Sequence, residues 1–470
     1  MIGSIMKKDI FRVLSTNLIK TFVTLITAFF IPTVLSVEQY GYYKLFSLYA
    51  SYVGVSHLGF CDGIFLKYGG KDFECIDKRQ LASEQKTFFF YEIILTIAVT
   101  LIGIYKNDLI IILFGLTFLP STLINFYANL YQAIGDFQQY SKIYKINSIL
   151  MLVLNAILVF LIKGNKGIYY ACLNVFINYL VFLFSYLRFN KVNSIKSGRC
   201  SFQILINPIK SGFLLMLGNL SYILFSSIDK WFVKGSMGMQ YFAYYSFAVQ
   251  LLSIMNMFIN PIGLTFYSYM SKYRDREFEY LLKTRMISIL FFMLSGVFAI
   301  KFVVIHFIEK FAEAIPVIEV LFLAQIFLLL NTAIYVNLFK VYKMQKRYFF
   351  NLVIVIGISI ALNVLFFMIM GRSMMSFAVA TLVSMVIWSW CNLNSFPYLK
   401  LKKAVLCFGA FCIVFYWLAN SFDNVVCGGI VYFVGWGIGL RVFMKECFGD
   451  YIRLIWKINK SKGVGQVVGK

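Results

Sequence analysis

The chain has 470 residues, of which 60% are hydrophobic and 19% aromatic, and its formal net charge is +24. Soluble domains are typically about half apolar, and a soluble fold of this length has no place to hide so much additional apolar surface. The composition excludes a soluble protein and predicts that most of the chain lies in lipid.

Apolar runs of about 20 residues, the length that crosses ~30 Å of hydrocarbon, recur along the whole chain. They predict an all-α polytopic membrane protein with about fourteen transmembrane helices and no separate soluble domain. The predicted spans are 14–36, 40–65, 87–105, 109–134, 145–162, 167–187, 211–233, 241–268, 286–307, 314–339, 349–370, 374–396, 404–420 and 425–444.

The basic residues alternate between the two sides of this topology. With the N-terminus inside, 35 of the 44 Lys and Arg fall on the cytoplasmic side and the other nine in the outer half. Cytoplasmic loops carry this excess in membrane proteins. The pattern predicts an even number of spans with both termini cytoplasmic. It also explains the net charge, together with attraction to anionic membrane lipids, so no nucleic-acid partner is expected.

The second half of the chain repeats the first. At a shift of 202, the segment 40–43 (Tyr-Gly-Tyr-Tyr) falls on 242–245 (Phe-Ala-Tyr-Tyr), and at a shift of 208 Asn155 falls on Asn363. With six spans in each half, both halves insert in the same orientation and form a parallel repeat. The predicted domains are an N-lobe at 1–190, a cytoplasmic linker at 191–207, a C-lobe at 208–403, two extra C-terminal helices at 404–444, and a basic, partly disordered cytoplasmic tail at 445–470.

Polar residues recur at helical spacing on the first two spans of each half. Spacings of three and four residues place them on one helix face, and in lipid such a face must turn to protein or water. We predict that these faces line a central cavity; hydrogen bonding between helices of the same lobe is the alternative. The predicted cavity residues are Asn17, Thr24, Lys44, Ser51, Asn219, Ser226, Asp229, Lys230, Asn256 and Asn260.

The charges on these faces indicate what the cavity accepts. On these helices Lys20, Lys44 and Lys230 outnumber Asp62 and Asp229. This excess favours an anionic passenger, since a lysine offers a point charge to phosphate; for Lys44 and Lys230, snorkelling to the interface is the alternative. Asp229 is expected to pair with a lysine. Glu92 and Asp62 are weak candidates for coupling transport to an ion, although Glu92 is also placed to pair with a nearby lysine.

Gly59 and Pro261 occupy equivalent positions in the second helix of each half. Both residue types weaken a helix, so we predict a hinge at each; a static kink is the alternative. His57 lies about 140° from the polar face, at 100° per residue, and is expected to pack against neighbours.

Other functions are disfavoured by what the sequence lacks. The nine Cys have no metal-ligand or redox spacing, so we expect free packing residues, no metal site and no cofactor. There is no Gly-rich phosphate loop ending in Lys-Ser/Thr, and the outer loops are too short for a catalytic domain. The chain is expected not to be an enzyme.

The motifs carry a family resemblance. The segment from Phe30 to Gly59, with Glu38-Gln39-Tyr40-Gly41-Tyr42-Tyr43 and Leu58-Gly59, resembles the N-terminal signature of the Wzx-type polysaccharide (O-antigen and capsule) flippases, which belong to the MOP (multidrug/oligosaccharidyl-lipid/polysaccharide) exporter superfamily. Further similar patterns are Asp229-Lys230-Trp231-Phe232-Val233 with Tyr244 and Ala248, Gly135-Asp136-Phe137 with Asn155, and Gly371 to Ser384 with Ala378, Ala380 and Thr381.

The resemblance implies two six-helix lobes with two extra helices and a cavity lined by helices one, two, seven and eight. It implies translocation of undecaprenyl-pyrophosphate-linked oligosaccharide from the inner to the outer leaflet of the bacterial cytoplasmic (inner) membrane, driven by an ion gradient. The implied partners are this lipid-linked glycan, membrane lipids, a coupling cation (H⁺ or Na⁺) and polysaccharide assembly proteins. In this chain the cavity faces hold few lysines and no arginines, where the family's lumen is strongly cationic.

Three other functions remain open at this stage. An ion-coupled small-molecule or drug exporter of the same superfamily would need acidic residues deep in the cavity. A membrane polysaccharide polymerase would need large outer loops. A peptidoglycan-precursor flippase would be distinguished by its essentiality.

Overall fold

The computed structural model describes residues 2–193, 199–450 and 453, and within these residues every regular element is helical. The α-helices of this part of the chain are α1 Ile2–Val34, α2 Val37–Ala50, α3 Phe60–Tyr68, α4 Lys78–Tyr105, α5 Leu109–Ala133, α6 Phe137–Ala156, α7 Gly167–Asn193, α8 Phe202–Phe225, α9 Ile228–Met237, α10 Met239–Leu251, α11 Ser253–Tyr273, α12 Arg276–Met293, α13 Gly296–Phe307, α14 Ile315–Leu330, α15 Val336–Val341, α16 Gln345–Met370, α17 Met374–Ser395, α18 Lys403–Asn420 and α19 Val425–Phe443.

Thirteen helical segments of the described chain are long and apolar enough to cross a membrane. The predicted second span is not among them because it is interrupted: α2 ends at Ala50, a 3₁₀ turn covers Val53–Val55, and α3 begins at Phe60. Together α2 and α3 occupy the place of the predicted second span. The prediction of an all-α polytopic membrane protein is confirmed, while the placement of both termini in the cytoplasm stays a prediction.

Several helices begin where the sequence supplies a capping side chain. Ser36, Asp77, Asp108 and Asp136 each accept a hydrogen bond from a main-chain N–H two or three residues ahead, at 2.8–3.3 Å. These side chains satisfy N–H groups that have no partner inside the first turn. They fix the starts of α2, α4, α5 and α6.

The helix boundaries reproduce the repeat that the sequence predicts. α2 begins at Val37 and α10 at Met239, a shift of 202, while α6 begins at Phe137 and α16 at Gln345, a shift of 208. Asn155 and Asn363 also behave alike, since each donates its side-chain amide to the carbonyl oxygen four residues earlier at 2.7 Å.

The chain divides into two compact units, Met1–Met257 with Ile356–Phe377, and Phe258–Val355 with Ala378–Lys470. The predicted lobe boundaries at 190 and 208 stay a prediction. Within the predicted linker, α7 continues to Asn193 and α8 already begins at Phe202, while residues 194–198 lie outside the described residues. Of the predicted tail, only 445–450 and 453 are described.

The first unit packs around stacked aromatic rings. Phe60 of α3 lies 4.4 Å from Phe88 of α4, centroid to centroid and nearly parallel, and Phe126 of α5 lies 6.0 Å from Phe88. All three side chains are fully buried. Aromatic side chains bury large apolar areas, so this stack holds α3 firmly against α4 and α5.

The second unit carries the two extra C-terminal helices, which are tied to α12 by hydrogen bonds. Tyr432 of α19 donates its hydroxyl to the carbonyl oxygen of Phe291 at 2.6 Å, and the Trp436 indole donates to that of Ser288 at 3.1 Å. On the loop after α17, burial and the neighbouring Glu279 carboxylate raise the pKa of Tyr398 far above its ordinary value. Its hydroxyl therefore stays protonated and donates to Glu279.

Candidate functional site

The interruption of the second span places polar main-chain and side-chain groups at membrane depth. After α2 ends, Ser51 and Ser56 donate their hydroxyls to the carbonyl oxygens of Leu48 and Val53, at 2.6 and 2.9 Å. Gly59 then adopts φ +88°, a left-handed conformation that favours glycine, and α3 begins at the next residue. Irregular backbone at membrane depth needs such internal partners, and it commonly lines a cavity.

Helix α3 is pressed against α8 through small residues. A Cβ added at Gly212 would overlap the carbonyl oxygen of Gly59, and a Cβ added at Gly63 would overlap that of Pro208. Gly59 and Gly63 are four residues apart, so they form one face that lets the two backbones approach closely. This contact fixes the second span of the first half to the first span of the second half.

A cavity of about 240 Å³ lies beside this contact. It is enclosed by the turn after α2, the start of α3, helix α5 and helix α8, all within the first unit. Its walls carry three amides, one carboxyl group and one imidazole among apolar side chains. The lining residues are Gly54, Val55, His57, Asp62, Asn125, Asn129, Met216, Asn219, Leu220 and Ile223.

Two of the predicted site residues therefore meet in this cavity. Asn219 was predicted as a cavity residue and Asp62 as a weak coupling residue, and both line it. His57, expected to pack, is 6% exposed and also lines it. Its Nδ1 accepts the main-chain N–H of Gly59 at 3.0 Å, so the neutral ring carries its proton on Nε2.

The two predicted lysines of the site lie on contacting helices. Lys44 belongs to α2 and Lys230 to α9, and Tyr49 of α2 stacks on Trp231 of α9 with ring centroids 5.5 Å apart. Lys44 donates to the Gln250 side-chain oxygen at 3.0 Å and lies 5.1 Å from the ring centroids of both Tyr40 and Tyr43. Both lysine side chains are half-buried. The arrangement concentrates positive charge between helices α2, α9 and α10.

Asp229 sits at the base of α9, where it is 6% exposed. Its carboxylate accepts the Tyr245 hydroxyl at 2.7 Å and the main-chain N–H of Lys230 at 2.8 Å. It also lies near enough to Lys230 to attract the ammonium group. Charge-assisted hydrogen bonds of this kind hold a carboxylate in place, so Asp229 positions the start of α9.

Aromatic residues close the space between α2 and α9. The Tyr52 hydroxyl shares a hydrogen bond of 2.5 Å with Ser227 and accepts the Trp231 indole N–H at 2.9 Å. Tyr49 stacks on Trp231 with ring centroids 5.5 Å apart. We call Tyr49, Tyr52, Ser227 and Trp231 the aromatic seam. It joins the end of α2 to the junction of α8 and α9.

Glu92 lies away from the cavity lining, fully buried on α4. Its carboxylate accepts the Ser56 hydroxyl at 3.3 and 3.4 Å, and the Thr122 hydroxyl is also within reach. It therefore contacts the interrupted part of the second span. Its role in ion coupling stays a prediction.

Several predicted cavity hydroxyls bond within their own helices. Thr24 donates to the carbonyl oxygen of Lys20 at 2.9 Å, and Ser226 donates to that of Ile223 at 3.0 Å. Ser51 behaves in the same way. A hydroxyl can form such a bond whether its helix face borders a cavity or packs against another helix. These hydrogen bonds therefore do not tell which of the two surrounds the residue.

The remaining predicted residues are more scattered. Asn17 is exposed and Asn256 is half-buried, while the side chain of Asn260 lies outside the described residues. Helix α11 continues through Pro261 without interruption. The break between α10 and α11 lies at Leu252, nine residues earlier. Gly59 does mark a break, but its contact with α8 fixes it in place. Hinge motion at either residue stays a prediction.

Sequence reasoning missed Asn125 and Asn129, which line the cavity from α5, and Gln250, the partner of Lys44. The signal was present, since two amides four residues apart on an apolar helix share one face. The predicted cavity faces include only the first two spans of each half, so α5 is not among them. Within the described residues, no group of three or more His, Cys, Asp or Glu is placed to hold a metal ion.

Comparison with solved structures identifies the fold. The lipid II flippase MurJ, in its inward closed conformation, superposes with a TM-score of 0.68 at 14% identity, covering 92% of this chain and 98% of that chain. No protein-family model matches the chain, and no curated protein matches it.

Other solved transporters of the MOP superfamily are also similar to this chain. An inward-facing multidrug resistance MATE family transporter has a TM-score of 0.53 at 11% identity, covering 83% of this chain and 96% of that chain. A MOP superfamily transporter from Pyrococcus furiosus has a TM-score of 0.51 at 12% identity, covering 84% of this chain and 97% of that chain. At these identities the similarity establishes the two-lobe helical transporter fold and nothing finer.

Proposed function

We propose that this chain is a flippase of the Wzx type. It moves undecaprenyl-pyrophosphate-linked oligosaccharide repeat units, of O-antigen or capsule, from the inner to the outer leaflet of the bacterial cytoplasmic membrane. The glycan and pyrophosphate pass through the protein while the polyprenyl tail remains in lipid. The fold supports this proposal at the coarser level, because MurJ, whose structure is named as a lipid II flippase, has the same fold.

The observation that carries the proposal is that Lys44 and Lys230 are both half-buried, on the contacting helices α2 and α9. An ammonium group at membrane depth is unfavourable unless something compensates its charge. Gln250 and the two aromatic rings beside Lys44 are neutral groups, whereas Lys230 has Asp229 next to it. A passing pyrophosphate would supply negative charge to Lys44, and lysine binds phosphate as a point charge that it can also release.

The drug-exporter alternative draws on the MATE-like fold. A cationic drug would need an accessible carboxylate near the same place. Asp229 is buried and its oxygens already accept the Tyr245 hydroxyl and a main-chain N–H. The local excess of lysine therefore favours an anionic passenger.

The experiment is complementation of a strain that lacks the gene. We expect the deletion to accumulate lipid-linked repeat units on the inner leaflet, and the wild-type gene to clear them. The double variant Lys44→Gln/Lys230→Gln removes both charges, and charged hydrogen bonds contribute about 1.5–3 kcal/mol each. Two such contributions sum to about 3–6 kcal/mol, so we expect export to fall by about a hundredfold or more, since each 1.4 kcal/mol is a factor of ten.

The matched control is Lys106→Gln, which removes an exposed lysine at the end of α4. It should export like the wild type. Full export by the double variant, at wild-type protein levels, would contradict the lysine role. A deletion strain that is instead only more drug-sensitive, with no accumulated lipid-linked glycan, would favour the exporter.

A further inference from the structure

The cavity beside the α3–α8 contact has a chemistry distinct from that of the lysine pair. Its polar lining consists of Asn125, Asn129 and Asn219 with Asp62 and His57, and no lysine or arginine belongs to it. It is therefore unsuited to hold pyrophosphate. It needs a ligand that both donates and accepts hydrogen bonds without carrying negative charge.

The amides come from two helices. Asn125 and Asn129, four residues apart, share one face of α5, and Asn219 lines the same cavity from α8. Each amide offers a carbonyl acceptor and an NH₂ donor, and the Asp62 carboxyl group adds acceptors. Adjacent sugar hydroxyls, each a donor and an acceptor, complement such a set.

His57 adds a donor at a fixed place. Because its Nδ1 is occupied by the Gly59 N–H, its Nε2–H is the free donor. Nε2 lies 3.9 Å from the position that a Cβ on Gly54 would take. Nothing else lies within 4 Å of that position, so Gly54 leaves the wall of the cavity open beside the imidazole.

The size of the cavity limits what it holds. Its volume of about 240 Å³ corresponds to roughly eight water molecules at ~30 Å³ each, and it is smaller than the ~300–1,000 Å³ of pockets for drug-sized ligands. This volume is suited to a single sugar ring.

We propose that this cavity binds one sugar ring of the passenger glycan and selects a neutral ring over an acidic one. Three amides and His57 bond the ring hydroxyls, and Asp62 opposes a sugar carboxylate. The inference rests on the proposed function, since it specifies the glycan that the flippase recognises.

The first test measures binding by the purified wild-type protein in nanodiscs. A ligand that binds only the folded state raises the midpoint of thermal unfolding. We expect a methyl hexopyranoside, at millimolar concentration, to raise the midpoint, and the matching methyl hexuronide to raise it less. Equal shifts for the two sugars, or none for either, would overturn the proposal.

The second test fills the cavity. Gly54→Leu places a side chain beside His57, whereas Gly218→Leu, on α8 but absent from the lining, faces open space. We expect Gly54→Leu to abolish the sugar-dependent shift and Gly218→Leu to retain it. Asn125→Ala should weaken sugar binding about tenfold. Retention of the full shift by Gly54→Leu would overturn the assignment.

Transport separates this inference from the proposed function. If wild-type protein moves no lipid-linked glycan, the proposed function fails. If it moves neutral and acidic glycans equally well, and Asp62→Asn does not change their ratio, only the selective sugar site fails. We expect Asp62→Asn to raise the acidic-to-neutral ratio by about tenfold.

Discussion

The contact between α3 and α8 can be tested by comparing two single substitutions on α8, Gly212→Ala and Gly218→Ala, each of which adds one methyl group. At Gly212 the new Cβ would lie 3.0 Å from the carbonyl carbon of Asp62 and would overlap the carbonyl oxygen of Gly59. At Gly218, six residues further along α8, no atom outside α8 lies within 4 Å of the new Cβ in the part of the chain that the structure describes. The two Gly→Ala variants therefore differ in whether the new methyl group meets α3.

The expected difference follows from the geometry. Carbon atoms pack at about 3.5–4.0 Å, so Gly212→Ala requires α3 and α8 to separate by roughly 1 Å. The obstructing atoms are main-chain atoms of α3, which cannot rotate away. Overpacking of this kind costs about 1–3 kcal/mol. Alanine in place of glycine favours a helix by up to ~1 kcal/mol, but this gain is common to both variants. Their free energies of unfolding should therefore differ by about 1–3 kcal/mol.

The assay is thermal or denaturant unfolding of the purified protein in one detergent, followed by helical circular dichroism. We expect Gly218→Ala to match or exceed the wild type and Gly212→Ala to unfold first. If Gly212→Ala were as stable as Gly218→Ala, the two backbones would not be in contact there, and the wall of the cavity would be misplaced.

Two other substitutions probe each unit separately. Tyr52→Phe removes the hydroxyl that joins Ser227 and Trp231 in the aromatic seam. It should destabilise the first unit by about 1–3 kcal/mol, because two hydrogen bonds of about 0.5–1.5 kcal/mol each are lost. A red shift of tryptophan emission measures the loosening, and unchanged emission and stability would contradict it. Lys301→Met breaks the ion pair with Glu319, in which Nζ and Oε1 lie 2.6 Å apart. It should lower the free energy of unfolding by about 3–5 kcal/mol, and the double variant Lys301→Met/Glu319→Leu should recover most of that stability. A double variant as unstable as the single one would contradict this prediction.

Much of the fold was predictable from hydropathy and from the repeat. Val37 and Met239, where α2 and α10 begin, are 202 residues apart. This is the shift of the sequence repeat, because similar sequences start their helices at equivalent residues. The interruption after Ala50 was not predicted. The segment from Ser51 to Gly59 contains Gly54 and Gly59, and glycine weakens a helix, but residue type alone does not indicate that the helix ends as early as Ala50.

The candidate site was predictable in part. Asn219 and Asp62 were identified from helical periodicity, and Lys44 and Lys230 from charge at membrane depth. Periodicity cannot tell a hydroxyl that faces a cavity from one that bonds to its own helix, as Thr24 does. Nor can it bring α5 to the same cavity, since that requires knowing which helices are neighbours.

The central claim is that this chain carries a lipid-linked glycan across the bilayer. The most direct measurement reconstitutes the purified protein into vesicles that contain a labelled undecaprenyl-pyrophosphate-linked oligosaccharide. An impermeant glycan-modifying enzyme added outside then reports which lipids are exposed. We predict that nearly all labelled lipid becomes accessible with the wild-type protein and about half with Lys44→Gln/Lys230→Gln over the same period. Accessibility that stays near half with the wild-type protein, as in protein-free vesicles, would contradict the account.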